Sequence, residues 1–220
     1  ELIDSTQRLV AFIQYYFKDL GESKGHTWCS EKILRAAISN NIYECCDKVD
    51  WLLENNDFLH IDNSRIGLKY YYDIEMQIYH LIMNKSQIET TINISDEAID
   101  KAIKHAEEEQ GFNYVVEQLD TIHKSLHRTV SLITGKAGTG KTSIMRAIVK
   151  AYMENNYMMT ASALSAMAAQ RITEATEFPA MTIHRTLGCQ GLNDFTYNKD
   201  NHLITDVAFL DEGSMVNASL

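Results

Sequence analysis

The chain has 220 residues, 45% of them hydrophobic and 23% charged, which is the composition of ordinary globular material and excludes a fibrous or disordered polypeptide. No run approaches the roughly 18 consecutive apolar residues of a membrane span, and no signal-peptide core opens it, so a cytoplasmic location is expected. The net charge of −10 lies mostly in front, where residues 1–110 carry 11 Lys and Arg against 20 Asp and Glu, while residues 111–220 carry 9 against 10. An acidic front half argues against long-range electrostatic capture of DNA by that half, because neutralisation of phosphates by basic side chains supplies most non-specific affinity.

Leu9, Phe12, Ile13, Tyr16, Phe17 and Leu20 fall at helical spacing and precede Gly21, which predicts an amphipathic helix closed by a glycine cap. Ser30 is placed to cap a second helix carrying Ile33, Leu34, Ala37 and Ile38, and a third holds Cys46, Val49, Leu52 and Leu53. Residues 58–61 and 65–68 read as two short strands around a turn at Asp62, Asn63 and Ser64, where Asx chemistry favours reversal. Helices followed by a small hairpin predict a mainly α, winged-helix-like module over residues 1–110, either a packing or adaptor domain or a nucleic-acid reader; the helices lack basic stripes. A further helix is expected over 71–84. Another runs from a cap at Ser95 to Gln110, with Ala98, Ile99, Ala102, Ile103 and Ala106 inward and Gly111 as its stop. Cys29, Cys45, Cys46 and Cys189 show no C-x-x-C spacing and are read without a histidine pair at metal-ligand distance, which predicts reduced thiols and no structural zinc.

From residue 111 the pattern changes to alternating strands and helices, the mark of a parallel sheet with crossover helices. A buried strand is expected over 129–134, a helix over 140–154, a strand over 157–161, a helix over 164–176 and a strand over 206–210. Residues 111–220 are therefore expected to be part of an α/β domain.

Gly135-Lys136-Ala137-Gly138-Thr139-Gly140-Lys141-Thr142 fits G-x-x-x-x-G-K-[ST] and lies between the expected strand and the following helix. Glycines let the backbone N–H groups turn toward phosphate oxygens, and a helix N-terminus adds partial positive charge. Lys141 is then expected to reach the β- and γ-phosphates of ATP and Thr142 to offer its hydroxyl to Mg²⁺, with Ser143 continuing beside the α-phosphate. Val207-Ala208-Phe209-Leu210-Asp211-Glu212 is an apolar strand ending in two carboxylates, 76 residues after Gly135. Asp211 is expected in the Mg²⁺ shell, and Glu212 is expected to orient and deprotonate an attacking water.

Together, Gly135–Thr142 and the run from Val207 to Val216, VAFLDEGSMV, resemble the first two nucleotide-binding motifs of RecD-like helicases of superfamily 1, with Gly213 in place of the usual alanine. Ala163–Ile172, Glu174-Ala175-Thr176 and Thr182-Ile183-His184-Arg185 are similar to that family's single-strand-contacting segment and Thr-Ile-His-Arg element, although Leu164-Ser165-Ala166-Met167 replaces the usual Pro-Thr-Gly and basic residue. Gln118, 17 residues before Gly135, stands at the spacing of the family's adenine-reading glutamine. Upstream, Gly25-His26-Thr27 and the stretch from Arg65 to Ile78 resemble the family's helical N-terminal region more faintly.

The resemblance implies a RecA-like P-loop NTPase domain and an ATP-dependent helicase moving 5′ to 3′ on single-stranded DNA. Ser165 and His184 are its DNA-contact candidates; Ser165 serves equally as a helix-start serine and His184 as a packing histidine. A protein partner would engage the front domain. Leu220 follows Asp211 by nine residues, so the chain is expected to be the front part of a longer motor. An AAA-type loader and a nucleotide-switched adaptor are the alternatives, the latter disfavoured by the intact Lys141, Thr142, Asp211 and Glu212.

Overall fold

Helix α1, Ser5–Lys24, carries Leu9, Ile13, Phe17 and Leu20 on one face, and all four are buried. It does not stop at Gly21. The left-handed glycine that ends it is Gly25 (φ 67°), whose N–H bonds the carbonyl of Gly21 at 3.1 Å. Gly21 stays inside the helix, where a β-carbon would sit 3.3 Å from the hydroxyl of Tyr71. The computed structural model describes residues 5–136, 138–191 and 194–217, and these divide into two compact units, 1–81 with 214–220 and 82–213.

In the first unit, α1 leads through β1, Trp28–Ser30, into α2, Glu31–Asn41, where the Ser30 hydroxyl accepts the N–H of Ile33. A 3₁₀ segment, Tyr43–Lys48, and α3, Val49–Glu54, replace the single third helix read from the sequence. The hairpin is β2, Leu59–Asp62, and β3, Arg65–Leu68, with Asp62 opposite Arg65. Asn63 (φ 47°) and Ser64 (φ 69°) both lie in the left-handed region, as a two-residue type I′ connection requires. Strand β1 pairs antiparallel with the other edge of β3, giving the order β1-β3-β2. It escapes sequence reading because three residues are too few to show alternation. Leu34, Ile38, Cys45, Val49, Leu52 and Ile66 join the α1 face in one apolar core, and α4, Lys69–Ser86, follows the hairpin. All four cysteines are free thiols.

The second unit takes in α5, Asp96–Gln110, whose N-terminus is capped by the Ser95 hydroxyl and whose C-terminus is closed by Gly111 at φ 77°. After α6, Val116–Leu126, comes α7, Lys141–Glu154. Ala102 and Ala106 on α5 and Ala147 and Ala151 on α7 are fully buried in one cluster, and their small size lets the two helix backbones approach closely. The chain then forms β4, Met159–Ala163; α8, Ala166–Thr176; β5, Ala180–Thr182; α9, Ile183–Thr186; a two-stranded ribbon of β6, Cys189–Gly191, and β7, Asp194–Phe195; and β8, Val207–Leu210. Parallel strands β5-β4-β8 form the sheet, with Ala161 opposite both Ala180 and Phe209.

Residues 129–134 are not the buried strand expected. They run as irregular chain with Leu132 88% exposed: a strand needs a neighbour whose ladder takes up its N–H and carbonyl groups, and no described strand pairs with 129–134. A second correction concerns histidine. His123 in the last turn of α6 and His127 at its C-cap, four residues apart, meet Asp96 of α5, with donor atoms of all three within 4.8 Å of one another. Among the described residues no helix is long and apolar enough to cross a membrane.

Candidate nucleotide-binding site

The P-loop stretch joins the irregular chain before Gly135 to the N-terminus of α7. Gly138 (φ 79°) and Gly140 (φ 83°) take the left-handed conformation that side chains disfavour, and a β-carbon at Gly135 would lie 2.7 Å from the hydroxyl of Thr139. That hydroxyl donates to the carbonyl of Lys136 at 2.9 Å. Lys141 arches back over the loop, its Nζ donating to the carbonyls of Gly135 (2.9 Å) and Lys136 (3.0 Å). The helix begins at Lys141, so Thr142 and Ser143 occupy its first turn, where backbone N–H groups lack intrahelical acceptors and the helix dipole is positive. Ala137 lies outside the described residues.

Two side chains brace this loop. The amide of Gln118 accepts the N–H of Val115 at 3.1 Å and donates to the carbonyl of Thr139 at 3.2 Å, tying the start of α6 to the loop. Both ends of the amide therefore engage the protein itself. Tyr114, which the sequence reading passed over, donates its hydroxyl to the carbonyl of Ser143 at 2.7 Å, while its N–H bonds the Glu107 carboxylate at 2.8 Å. Burial pushes the Tyr114 hydroxyl up to about 12, so it stays a donor across the physiological range. No periodicity marks Tyr114 in the sequence, because it stands in the short connection between α5 and α6.

The carboxyl ends of the three parallel strands carry the other candidates. Asp211 follows β8 and extends its ladder, its N–H bonding the carbonyl of Ser162 at 2.9 Å. Its carboxylate accepts the N–H of Glu212 at 2.9 Å, and Glu212 adopts φ 55°, which turns the chain sharply after the strand. Ser162 of β4 also meets Thr186 of α9 through a buried hydroxyl pair at 2.8 Å. One serine thus joins β4, the Asp211 backbone and the Thr-Ile-His-Arg element.

Ser165 follows β4 and caps α8, accepting the N–H of Ala168 at 3.1 Å. His184 on α9 is exposed, its ring centroid 6.3 Å from that of Phe195. Met167 is 67% exposed, and Arg171, one turn further along α8, places its guanidinium 3.8 Å from the Met167 sulfur. A basic group therefore stands beside the position where the sequence pattern lacks one. The i, i+4 relation of Met167 and Arg171 was the signal for it.

Residues 118–220 match a family model described as an AAA domain. Over 229 aligned residues the chain is 25% identical to the RecBCD enzyme subunit RecD of Buchnera aphidicola subsp. Schizaphis graminum (strain Sg), an alignment covering 86% of this chain. Together these likenesses support a RecD-like helicase family member. It spans 36% of the length of that RecD relative. For a RecD-like chain the AAA match implies a P-loop NTPase fold, with which the parallel β5-β4-β8 sheet and its flanking helices are compatible.

Proposed function

We propose that this chain is the nucleotide-binding front of an ATP-driven DNA helicase moving 5′ to 3′ on single-stranded DNA. The observation that carries the reading is the P-loop itself: left-handed Gly138 and Gly140, a Gly135 with no room for a β-carbon, and Lys141 folded over the loop from the first position of α7. Such a cradle fits the phosphates of ATP. When bound, ATP with Mg²⁺ supplies the phosphoryl group whose transfer to water releases energy.

In this reading the chain's own residues take the following roles. Gly135, Lys136, Ala137, Gly138, Thr139 and Gly140 line the phosphates with backbone N–H groups, joined by Thr142 and Ser143 at the helix start. Lys141 gives up its two carbonyl partners in favour of phosphate oxygens. Thr142 and Asp211 hold Mg²⁺, and Glu212 orients and deprotonates water. Gln118 bridges the loop and the adenine edge. Ser165 and His184, with Arg171 beside Met167, face single-stranded DNA from the carboxyl end of the sheet. The small three-stranded sheet and helices of the first unit support a winged-helix-like module, which we read as a protein-partner or duplex-contacting element of a cytoplasmic enzyme.

The test is ATP hydrolysis by the uninterrupted gene product with and without single-stranded DNA, beside Lys141→Ala. DNA-stimulated turnover lost in the variant is expected, together with unwinding of substrates bearing a 5′ single-stranded tail. Nucleotide binding with no response to DNA would overturn the motor reading in favour of a loader or switch.

A further inference from the structure

Outside the P-loop, helices α5 and α6 present a second constellation of ligating side chains. Asp96 and Asp100 lie one turn apart on α5, and His123 in the last turn of α6 is followed four residues on by His127, which caps its C-terminus. One carboxylate oxygen, Asp96 Oδ1, faces both imidazoles, 2.9 Å from His127 Nε2 and 3.6 Å from His123 Nδ1. Donor atoms bound tetrahedrally at 2.0–2.1 Å stand about 3.3 Å from one another, so the two observed separations bracket the edge of a zinc coordination tetrahedron.

The fourth residue supplies an independent indication. Asp100 Oδ1 lies 3.1 Å from His123 Nε2, the ring nitrogen turned away from Asp96. A carboxylate there favours the tautomer with the proton on Nε2, which frees Nδ1, 3.6 Å from Asp96 Oδ1, to ligate a metal, the carboxylate–histidine arrangement that orients metal-bound imidazole. The backbone beneath is anchored as well: Ile99 on α5, and Ile122 and Leu126 on α6, are buried in the core of the unit. Asp96 and His127 are exposed, so an ion has access and water can complete its shell.

We propose that Asp96, His123 and His127 bind a zinc ion that bridges α5 and α6, with Asp100 as the residue that positions His123. Two imidazoles and a carboxylate are the donor set that zinc accepts, and three protein ligands plus water complete four-coordination. The site is separate from the P-loop and does not depend on how that loop is read.

The full chain, stripped by a chelator, is titrated with Zn²⁺ in competition with a chromophoric chelator, and with Co²⁺ followed by visible absorption. One zinc per chain is expected, and Co²⁺ is expected to give the intense bands of a tetrahedral site. His127→Gln and Asp96→Asn should each lower zinc affinity at least as much as the 10- to 100-fold loss expected for Asp100→Asn, with unchanged circular dichroism. Cys189→Ser and His202→Gln should bind as the parent chain does. Unaltered affinity in both His127→Gln and Asp96→Asn would overturn the site, as would loss of binding in Cys189→Ser.

Discussion

Gln118 lies so close to Gly140 that a β-carbon on the glycine would come within 2.4 Å of the amide nitrogen. Gly140 also holds φ 83°, so two separate reasons exclude a side chain there. Gly140→Ala is expected to pay about 1–2 kcal/mol for the left-handed backbone, and more for the displaced amide. In a Gln118→Ala background the steric part should vanish and only the backbone part remain. Thermal denaturation of the four proteins measures this; equal losses for Gly140→Ala in both backgrounds would show that the contact carries no energy.

The buried hydroxyls of Ser162 and Thr186 satisfy one another. Removing one strands the other, so Ser162→Ala and Thr186→Val should each cost about 1–3 kcal/mol, while the double variant should cost clearly less than the sum. Urea unfolding of the cycle checks the sign of the coupling. Because Ser162 also receives the Asp211 N–H through its carbonyl, which both variants retain, the strand end at Asp211 should keep its hydrogen-exchange protection.

Tyr114 gives an alkaline signature. Its folded value of about 12 lies above the ordinary 10.0, so the unfolded chain loses this proton first. The stability that depends on it is complete below pH 10 and falls as pH rises toward 12. Tyr114→Phe should flatten part of that fall, the remainder being shared by Tyr152, Tyr16, Tyr71, Cys29 and Cys45, which burial also raises. It should further cost about 1 kcal/mol at neutral pH through the lost bond to Ser143. Stability measured at stepped alkaline pH is the readout, and an unchanged slope would refute the assignment.

At Ser165 two roles separate cleanly. As the cap of α8 it is replaceable by Asp, whereas Ala should cost about 1 kcal/mol of stability. As the DNA contact proposed above it would not be replaceable by Asp, which would repel phosphate. Ser165→Asp should therefore melt like the parent and bind single-stranded DNA more weakly, with affinity measured at fixed salt.

The local signals that the sequence carried were those with a stereochemical cause. Ser30, Ser95 and Ser165 start helices because their hydroxyls accept backbone N–H groups, and Gly111 stops one because it accepts φ 77°. The P-loop glycines were legible for the same reason. Gly21 misled because only tertiary packing against Tyr71 shows why a glycine sits inside α1. The expected strand at 129–134 failed because a strand exists only where it is paired, and apolar content does not report pairing. At the candidate site, Tyr114 and the Ser162–Thr186 pair were invisible, since each depends on residues at least 24 positions apart. The His123–His127 pair was readable at helical spacing, but Asp96 and Asp100 become its neighbours only once α5 and α6 pack.

Strand β4 is central in space but first in sequence among the three strands of its sheet. Its partner β5 begins 17 residues after β4 ends, whereas β8 begins 44 residues after it. During synthesis β4 and β5 can zip early, leaving the other edge of β4 with unpaired N–H and carbonyl groups until residues 207–210 emerge. The stretch from Met159 to Ser162 is then an open template for any passing strand. The residues that end in the Asp211–Glu212 pair thus have a second duty, as the seal that protects a nascent chain from sticking to its neighbours.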